Sequence, residues 1–114
     1  MRYNGCMTLS HAIEVPEALI RRIVEVWHPE EIRLFGSRAR GDFHELSDWD
    51  LLVIVPDNAP AEQLDLVWAR RAVRDLHVRA DIVPVSRSEF ESGRRWVGTL
   101  AELVDGEGVR VYHD

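Results

Sequence analysis

The chain has 114 residues, with 20 acidic side chains against 14 basic ones and a formal charge of −6. That length suits a single domain, residues 1–114, around one core. The acidic balance argues against a general nucleic-acid binder, which would carry a basic surface. No apolar run approaches the roughly 18–20 residues of a membrane span. The first ten residues lack the charged-then-apolar layout of a signal peptide. A lone cysteine, Cys6, allows no intrachain disulfide and suits a reducing, cytoplasmic compartment.

Every basic residue among the 14 is an arginine. Phosphate contacts must therefore come from guanidinium forks, backbone N–H groups, hydroxyls or a bound metal. A P-loop, which needs Gly-Lys-Ser/Thr, is excluded. The five histidines are scattered with no cysteine partners at zinc spacing, and read as surface or cap residues.

In chain order, residues 1–13 show no period and are expected to be loosely held, with Met7 an alternative start. Pro16 suits the first turn of a helix. Leu19, Ile20, Ile23, Val26 and Trp27 follow at helical spacing, and Pro29 stops them. Ile32 to Phe35 reads as a short strand ending at Gly36. Ser37 is expected to cap a brief turn through Arg40, closed by Gly41. After a loop, Trp49 to Val55 is so continuously apolar that both its faces must be covered, which makes it a central strand. Pro56 ends it.

A second helix is expected from the Asp57–Pro60 region, with Leu64, Val67, Trp68, Ala72 and Leu76 on its inner stripe. Val78 to Val85 reads as a third strand with Asp81 inside it, and Pro84 at an edge or terminus. Ser86 to Ser92 is a connection with helical tendency. Trp96, Leu100, Leu103 and Val104 form a last helical stripe, closed by Gly106. Val109 and Val111 make a final short strand. The order describes a small α/β (α+β) sandwich, with helices packed on a mixed sheet.

The chemistry concentrates between Gly36 and Val55, with one contribution from further on. Strand side chains alternate faces, so Asp48 and Asp50 point the same way. Two carboxylates on one face of a covered strand repel and are desolvated unless a positive charge sits between them. Mg²⁺ supplies such a charge and typically uses one or two carboxylates plus substrate phosphates. A pair of ions roughly 3.5–4 Å apart can activate an attacking oxygen and stabilise a leaving one. Asp81 can supply a third carboxylate from a neighbouring strand and is the natural base for an acceptor hydroxyl. Gly36 lets backbone approach a ligand, and Ser37 with nearby N–H groups can hold a terminal phosphate. Arg38 and Arg40 lie beside them.

Taken singly, these signals are weak. Asp-x-Asp is common in surface turns, and a salt bridge to Arg79 or Arg33 would account for Asp81. The combination is specific: a strand, Gly-Ser, ten residues, Asp-x-Asp heading a strand, then an aspartate in the next strand.

That combination resembles the nucleotidyltransferase superfamily of DNA polymerase beta, in particular the minimal nucleotidyltransferases called MNT or MntA-like proteins. It is carried by Gly36-Ser37, Arg38-Ala39-Arg40-Gly41, Ser47-Asp48-Trp49-Asp50-Leu51, and Asp81 within Arg79-Ala80-Asp81-Ile82-Val83. The ending from Trp96 through Glu107-Gly108-Val109 to Tyr112 is also similar. The resemblance implies a polymerase-beta-like palm fold. It implies ATP as donor and two Mg²⁺ ions held by Asp48, Asp50 and Asp81, with Asp81 also the base. Gly36 and Ser37 would hold the triphosphate, with Arg38 and Arg40 in the basic turn. Larger relatives carry further helical domains that grip an acceptor; none is expected in this chain, so the acceptor surface is expected to come largely from outside.

The resemblance further implies a prokaryotic, cytoplasmic antitoxin that transfers AMP to a tyrosine of a partner HEPN-domain toxin. A binding antitoxin that masks its partner sterically, or transfer to a small molecule or RNA end, remain the alternatives. The arginine-rich stretches Arg70-Arg71-Arg74 and Arg94-Arg95 read as solvated helix faces, with docking of a partner the rival reading. Nothing in the pattern suggests a membrane.

Overall fold

The computed structural model describes residues 15–113, so the expectations for residues 1–13, Cys6 and Met7 included, lie outside the described residues. Four strands form one mixed sheet in the order β3-β2-β1-β4. They are β1 (Glu31–Phe35), β2 (Trp49–Val55), β3 (Ala80–Ser86) and β4 (Val109–His113). The helices are α1 (Glu17–Trp27), α2 (Ser37–Arg40), α3 (Leu66–Val73), α4 (Arg87–Gly93) and α5 (Leu100–Glu107), with 3₁₀ turns at Ala61–Leu64 and Arg74–Leu76. Strand β1 runs antiparallel to both β2 and β4, whereas β2 and β3 are parallel, joined by the crossover through α3.

The continuous apolar run of β2 has the predicted cause. It is an inner strand, and Leu51 to Val55 are all buried. Leu51, Val53 and Val55 face the larger core with Leu19, Ile20, Ile23 and Trp27 of α1 and Ala69 and Val73 of α3. Leu52 and Ile54 face a smaller core with Phe90 of α4 and Val104 of α5. The sheet is thus covered on both sides. Pro84 sits in edge strand β3, where a missing donor is tolerated.

Helix α1 buries Leu19, Ile20, Ile23 and Trp27, as the spacing predicts, and Pro16 sits at the cap, one place before the first helical residue. The helix ends at His28 in the left-handed region, φ 46°; His77 ends the 3₁₀ turn after α3 in the same way, φ 56°. Both histidines are caps.

Three expectations need correction. The second helix is broken at Asp65, whose carboxylate accepts the Trp68 N–H at 2.9 Å and starts α3 afresh. The expected stripe largely holds: Leu64, Trp68, Ala72 and Leu76 pack partly buried against the larger core beside the buried Ala69 and Val73, and Val67 alone turns outward, 62% exposed. In the last helix only Val104 of the expected stripe is buried; Trp96, Leu100 and Leu103 are exposed. That helix also runs through Gly106 and is capped by Gly108, where a Cβ would come 2.4 Å from the Val104 carbonyl oxygen. Ser37, finally, is the first residue of α2 and Gly36 occupies its cap.

Tertiary ties join the two helices of the larger core. The Trp27 and Trp68 rings meet edge to face at 5.7 Å, and the Trp27 indole donates to the Gln63 carbonyl at 2.8 Å. Arg22 reaches from α1 to the Ala72 carbonyl at 2.9 Å and to Asp75 at 2.6 Å. Beyond the crossover β3 starts in line with β2, which brings Asp50 and Asp81 together.

Candidate active site

Parallel pairing puts Trp49 opposite Ala80 and Asp50 opposite Asp81, and the Trp49 N–H donates to the Arg79 carbonyl at 2.9 Å. Side chains of paired residues emerge on one face. Asp50 and Asp81 therefore stand side by side, on the face that continues with Leu52 and Ile54. Asp48 lies just ahead of β2, two residues from Asp50, on the same side. These are the three carboxylates singled out by their order in the chain, and the fold assembles them at one end of the sheet.

The electrostatics are those of a crowded anionic site. Burial, then the charge of Asp81, then that of Asp48, push the Asp50 carboxyl above the ordinary range, and Arg40 partly offsets them. Neither salt bridge that would have explained Asp81 is formed. Arg79 pairs with Asp48, Nε to Oδ1 at 3.2 Å, and Arg33 pairs with Glu31 at 2.9 Å. Among the described residues no three His, Cys, Asp or Glu side chains already converge on a metal position. The Asp48 carboxylate is directed to Arg79. The donor set, carboxylate oxygens crowded on one half-buried face, still fits a hard divalent cation and its need for oxygen ligands.

The glycine-serine turn abuts this cluster. Phe35, the last residue of β1, pairs with Asp50, and the chain turns at Gly36 with φ 76° and ψ −160°. A Cβ on Gly36 would lie 2.2 Å from Asp50 Oδ2. Only glycine allows both this backbone conformation and this approach. The Gly36 carbonyl accepts from the Ala39 and Arg40 N–H groups at 3.1 Å, forming α2, and Gly41 ends it at φ 91°. The N–H groups at the start of a helix have no intrahelical acceptor, so those of Ser37 and Arg38, directly after Gly36, are left as available donors.

The two arginines of the turn part company. Arg40 stays near the cluster, ion-paired with Asp42 and with Glu107, each at 3.4 Å. Arg38 does not join it. Only 8% exposed, it donates to the carbonyls of Ser47, His44 and Glu45 at 3.1–3.3 Å and packs over the rings of Trp49, at 4.1 Å, and Phe43, at 4.8 Å. Its visible task is to fold the 43–47 loop that delivers Asp48.

Glu107 belongs to the site and was missed in the sequence. Its Oε2 accepts the Gly36 N–H at 3.0 Å and lies within 3.4 Å of Arg40, so the end of α5 holds the glycine turn from behind. The chain separation of 71 residues hides this contact from any local pattern. The signal present was the Glu-Gly step before the last strand.

The nucleotidyltransferase domain family matches residues 17–101. No curated protein matches the chain. Among solved structures, one described as a toxin-antitoxin with AMP-PNP superposes with a TM-score of 0.57 at 22% identity, over 88% of this chain and 75% of that one. A Sulfolobus solfataricus protein assigned as a nucleotidyltransferase gives 0.57 at 17% identity, over 97% and 86%. A mutant of the toxin-antitoxin MntA-HpeT gives 0.55 at 19% identity, over 88% and 75%. At these identities the likeness establishes a shared fold.

Proposed function

This chain belongs to the nucleotidyltransferase domain family, and from that premise we propose that it transfers AMP from ATP to a hydroxyl of a partner protein. The acceptor we propose is a tyrosine of a HEPN-domain toxin, which makes the chain the antitoxin of a HEPN/MNT pair. Two of the structural relatives are toxin-antitoxin proteins, and one of these was crystallised with AMP-PNP, which supports both the donor and the setting.

The observation that carries the reading is the register of Asp50 on Asp81 with Gly36 packed against Asp50. Asp48, Asp50 and Asp81 are the residues that would hold Mg²⁺. Bound there, the ion would neutralise the carboxylates, favour the deprotonated attacking oxygen and stabilise the leaving pyrophosphate. Ser37 and the N–H groups opening α2 receive the terminal phosphates, with Arg40 beside them. Arg38 serves the same site by ordering the loop. In the reaction the acceptor oxygen forms a bond to the α-phosphorus as the bond to the β-phosphate bridging oxygen breaks. Asp81, the most exposed partner of the paired aspartates, takes the hydroxyl proton. Pyrophosphate departs.

The test uses ATP labelled at the α-phosphate and purified HEPN-domain partner. Label on the partner, lost in Asp48→Asn/Asp50→Asn, is the expected result. Neutralisation of the toxin by that double variant, with no label on either protein, would replace catalysis with steric masking. Label on RNA or a small molecule in place of the partner would redirect the acceptor.

A further inference from the structure

We propose that the outer face of α3 is a docking surface for a carboxylate-rich, partly apolar face of a partner protein; the inference rests on the reading that the acceptor is a protein. The sequence left two arginine-rich stretches open, and the structure separates them. Arg94 is committed, paired with Glu91 at 2.8 Å and Asp105 at 2.6 Å. Arg70, Arg71 and Arg74 are exposed and, with Arg95, are the arginines among the described residues that make no ion pair or side-chain hydrogen bond. Three of these four lie within five residues, Arg70 and Arg71 on α3 and Arg74 in the 3₁₀ turn that continues it, in an acidic protein.

The acids flanking α3 at its two ends are already used. The Asp65 carboxylate caps α3, and the Asp75 carboxylate is taken by Arg22. Arg70 on α3 and Arg74 at the start of the following 3₁₀ turn are like charges about one turn apart. The helix dipole favours cations near the C-terminus, but it does not account for what precedes them. Leu66 and Val67, 59% and 62% exposed, open the same helix, while Ala69 and Val73 hold its other side to the core. Exposed aliphatic groups beside unpaired guanidinium groups are the composition of a protein interface, where arginine is enriched. The described face offers no aromatic platform for bases, and the whole chain, at −6, repels a polyanion. An acidic protein surface fits better than RNA.

The position suits an acceptor. The crossover from β2 to β3 carries α3 back to the sheet end where β3 begins beside the start of β2. Arg74 is followed by His77 and then by Arg79, which pairs with Asp48. A partner held on α3 thus reaches the end of the sheet that carries the aspartates.

The experiment measures affinity for the HEPN-domain partner of the labelling assay, by calorimetry, as a function of salt. Arg70→Glu/Arg71→Glu/Arg74→Glu should weaken binding by about 100-fold and remove most of the salt dependence, because like charges face one another at the contact. ATP affinity and the circular dichroism spectrum should stay unchanged. If charge reversal unfolds the helix, Arg70→Ala/Arg71→Ala/Arg74→Ala is read the same way, with a smaller loss expected. Unchanged affinity in a folded variant overturns the docking surface, and continued labelling of the partner would then leave the proposed function standing. A wild-type protein that neither binds nor labels the partner overturns both. Single-stranded RNA bound through these arginines, with partner affinity untouched, also overturns the proposal.

Discussion

Gly36 is held in place by three neighbours: the Asp50 carboxylate at its α-carbon, the Glu107 carboxylate at its N–H, and the α2 amides at its carbonyl. Its backbone lies in a region that other residues occupy at a cost of about 1–3 kcal/mol, and any Cβ would displace Asp50. Gly36→Ala is therefore expected to lower stability by about that amount and to reduce label transfer well beyond what stability explains. Thermal melts and kinetics at a temperature where the variant stays folded check this. Glu107 acts on the site through Gly36 and Arg40. Glu107→Ala should raise KM for ATP by about tenfold, the factor expected for one charge-assisted hydrogen bond. Glu107→Gln keeps an acceptor for the Gly36 N–H and should recover most of that loss. Equal kcat loss in both variants, with KM unchanged, would remove the positioning role.

At the scale of elements, β1 carries a second electrostatic knot, far from the aspartates in kind. Glu31 accepts from Arg87 at 2.8 Å and Arg33 at 2.9 Å, with Arg110 at 3.5 Å, tying β1 to α4 and β4. Burial alone would raise its pKa, but the hydrogen bonds from Arg87 and Arg33 outweigh it and hold the carboxyl below the usual value. A depressed folded pKa contributes stability that is present above the unfolded value and is lost as pH falls through the folded one. Glu31→Gln should thus destabilise the protein at neutral pH by roughly 1–3 kcal/mol. It should also flatten the acid side of the stability curve below about pH 4.5. Urea melts across that range test both. The elements themselves were legible where burial imposed a pattern. The unbroken apolar run of β2 showed an inner strand, and the α1 stripe showed its buried face. The second helix misled at its start, because Asp65, which reads as one more polar residue, is in fact a cap; Trp68, Ala72 and Leu76 after it still face the core as their spacing indicates, and only Val67 does not. The last helix misled because Thr99 caps a helix that begins only at Leu100, which leaves Trp96 in the turn before it. Leu100 and Leu103 keep helical spacing yet stand exposed, spacing alone not saying which side is covered. Arg38 was legible as a member of the basic turn but not as a residue turned onto loop carbonyls, since its partners are peptide groups that any sequence would offer.

On the scale of the whole molecule, the order of strands explains why so short a stretch can make a site. An antiparallel β1 ends where the parallel pair β2 and β3 begins, so the Gly36 turn and the aspartates meet at one end of the sheet, and the one loop between them is tied down by Arg38. The sheet closes this end with like charges. Burial and the charges of Asp81 and Asp48 raise the Asp50 carboxyl above its ordinary value, so its charged form is disfavoured in the fold and the fold is less stable for carrying it. Replacing one carboxylate by an amide removes the repulsion but also a donor to the cation. Asp50→Asn should consequently melt higher than the parent in EDTA, by ~4 °C for about 1 kcal/mol in a domain of this size. The parent should gain stability when Mg²⁺ and ATP are added together, since a ligand that binds only the folded state shifts the melting point upward. Asp50→Asn should gain none. A variant that melts lower than the parent in EDTA, or that keeps the full Mg²⁺-ATP shift, would mean that the three aspartates are not the place where function is held at the expense of stability.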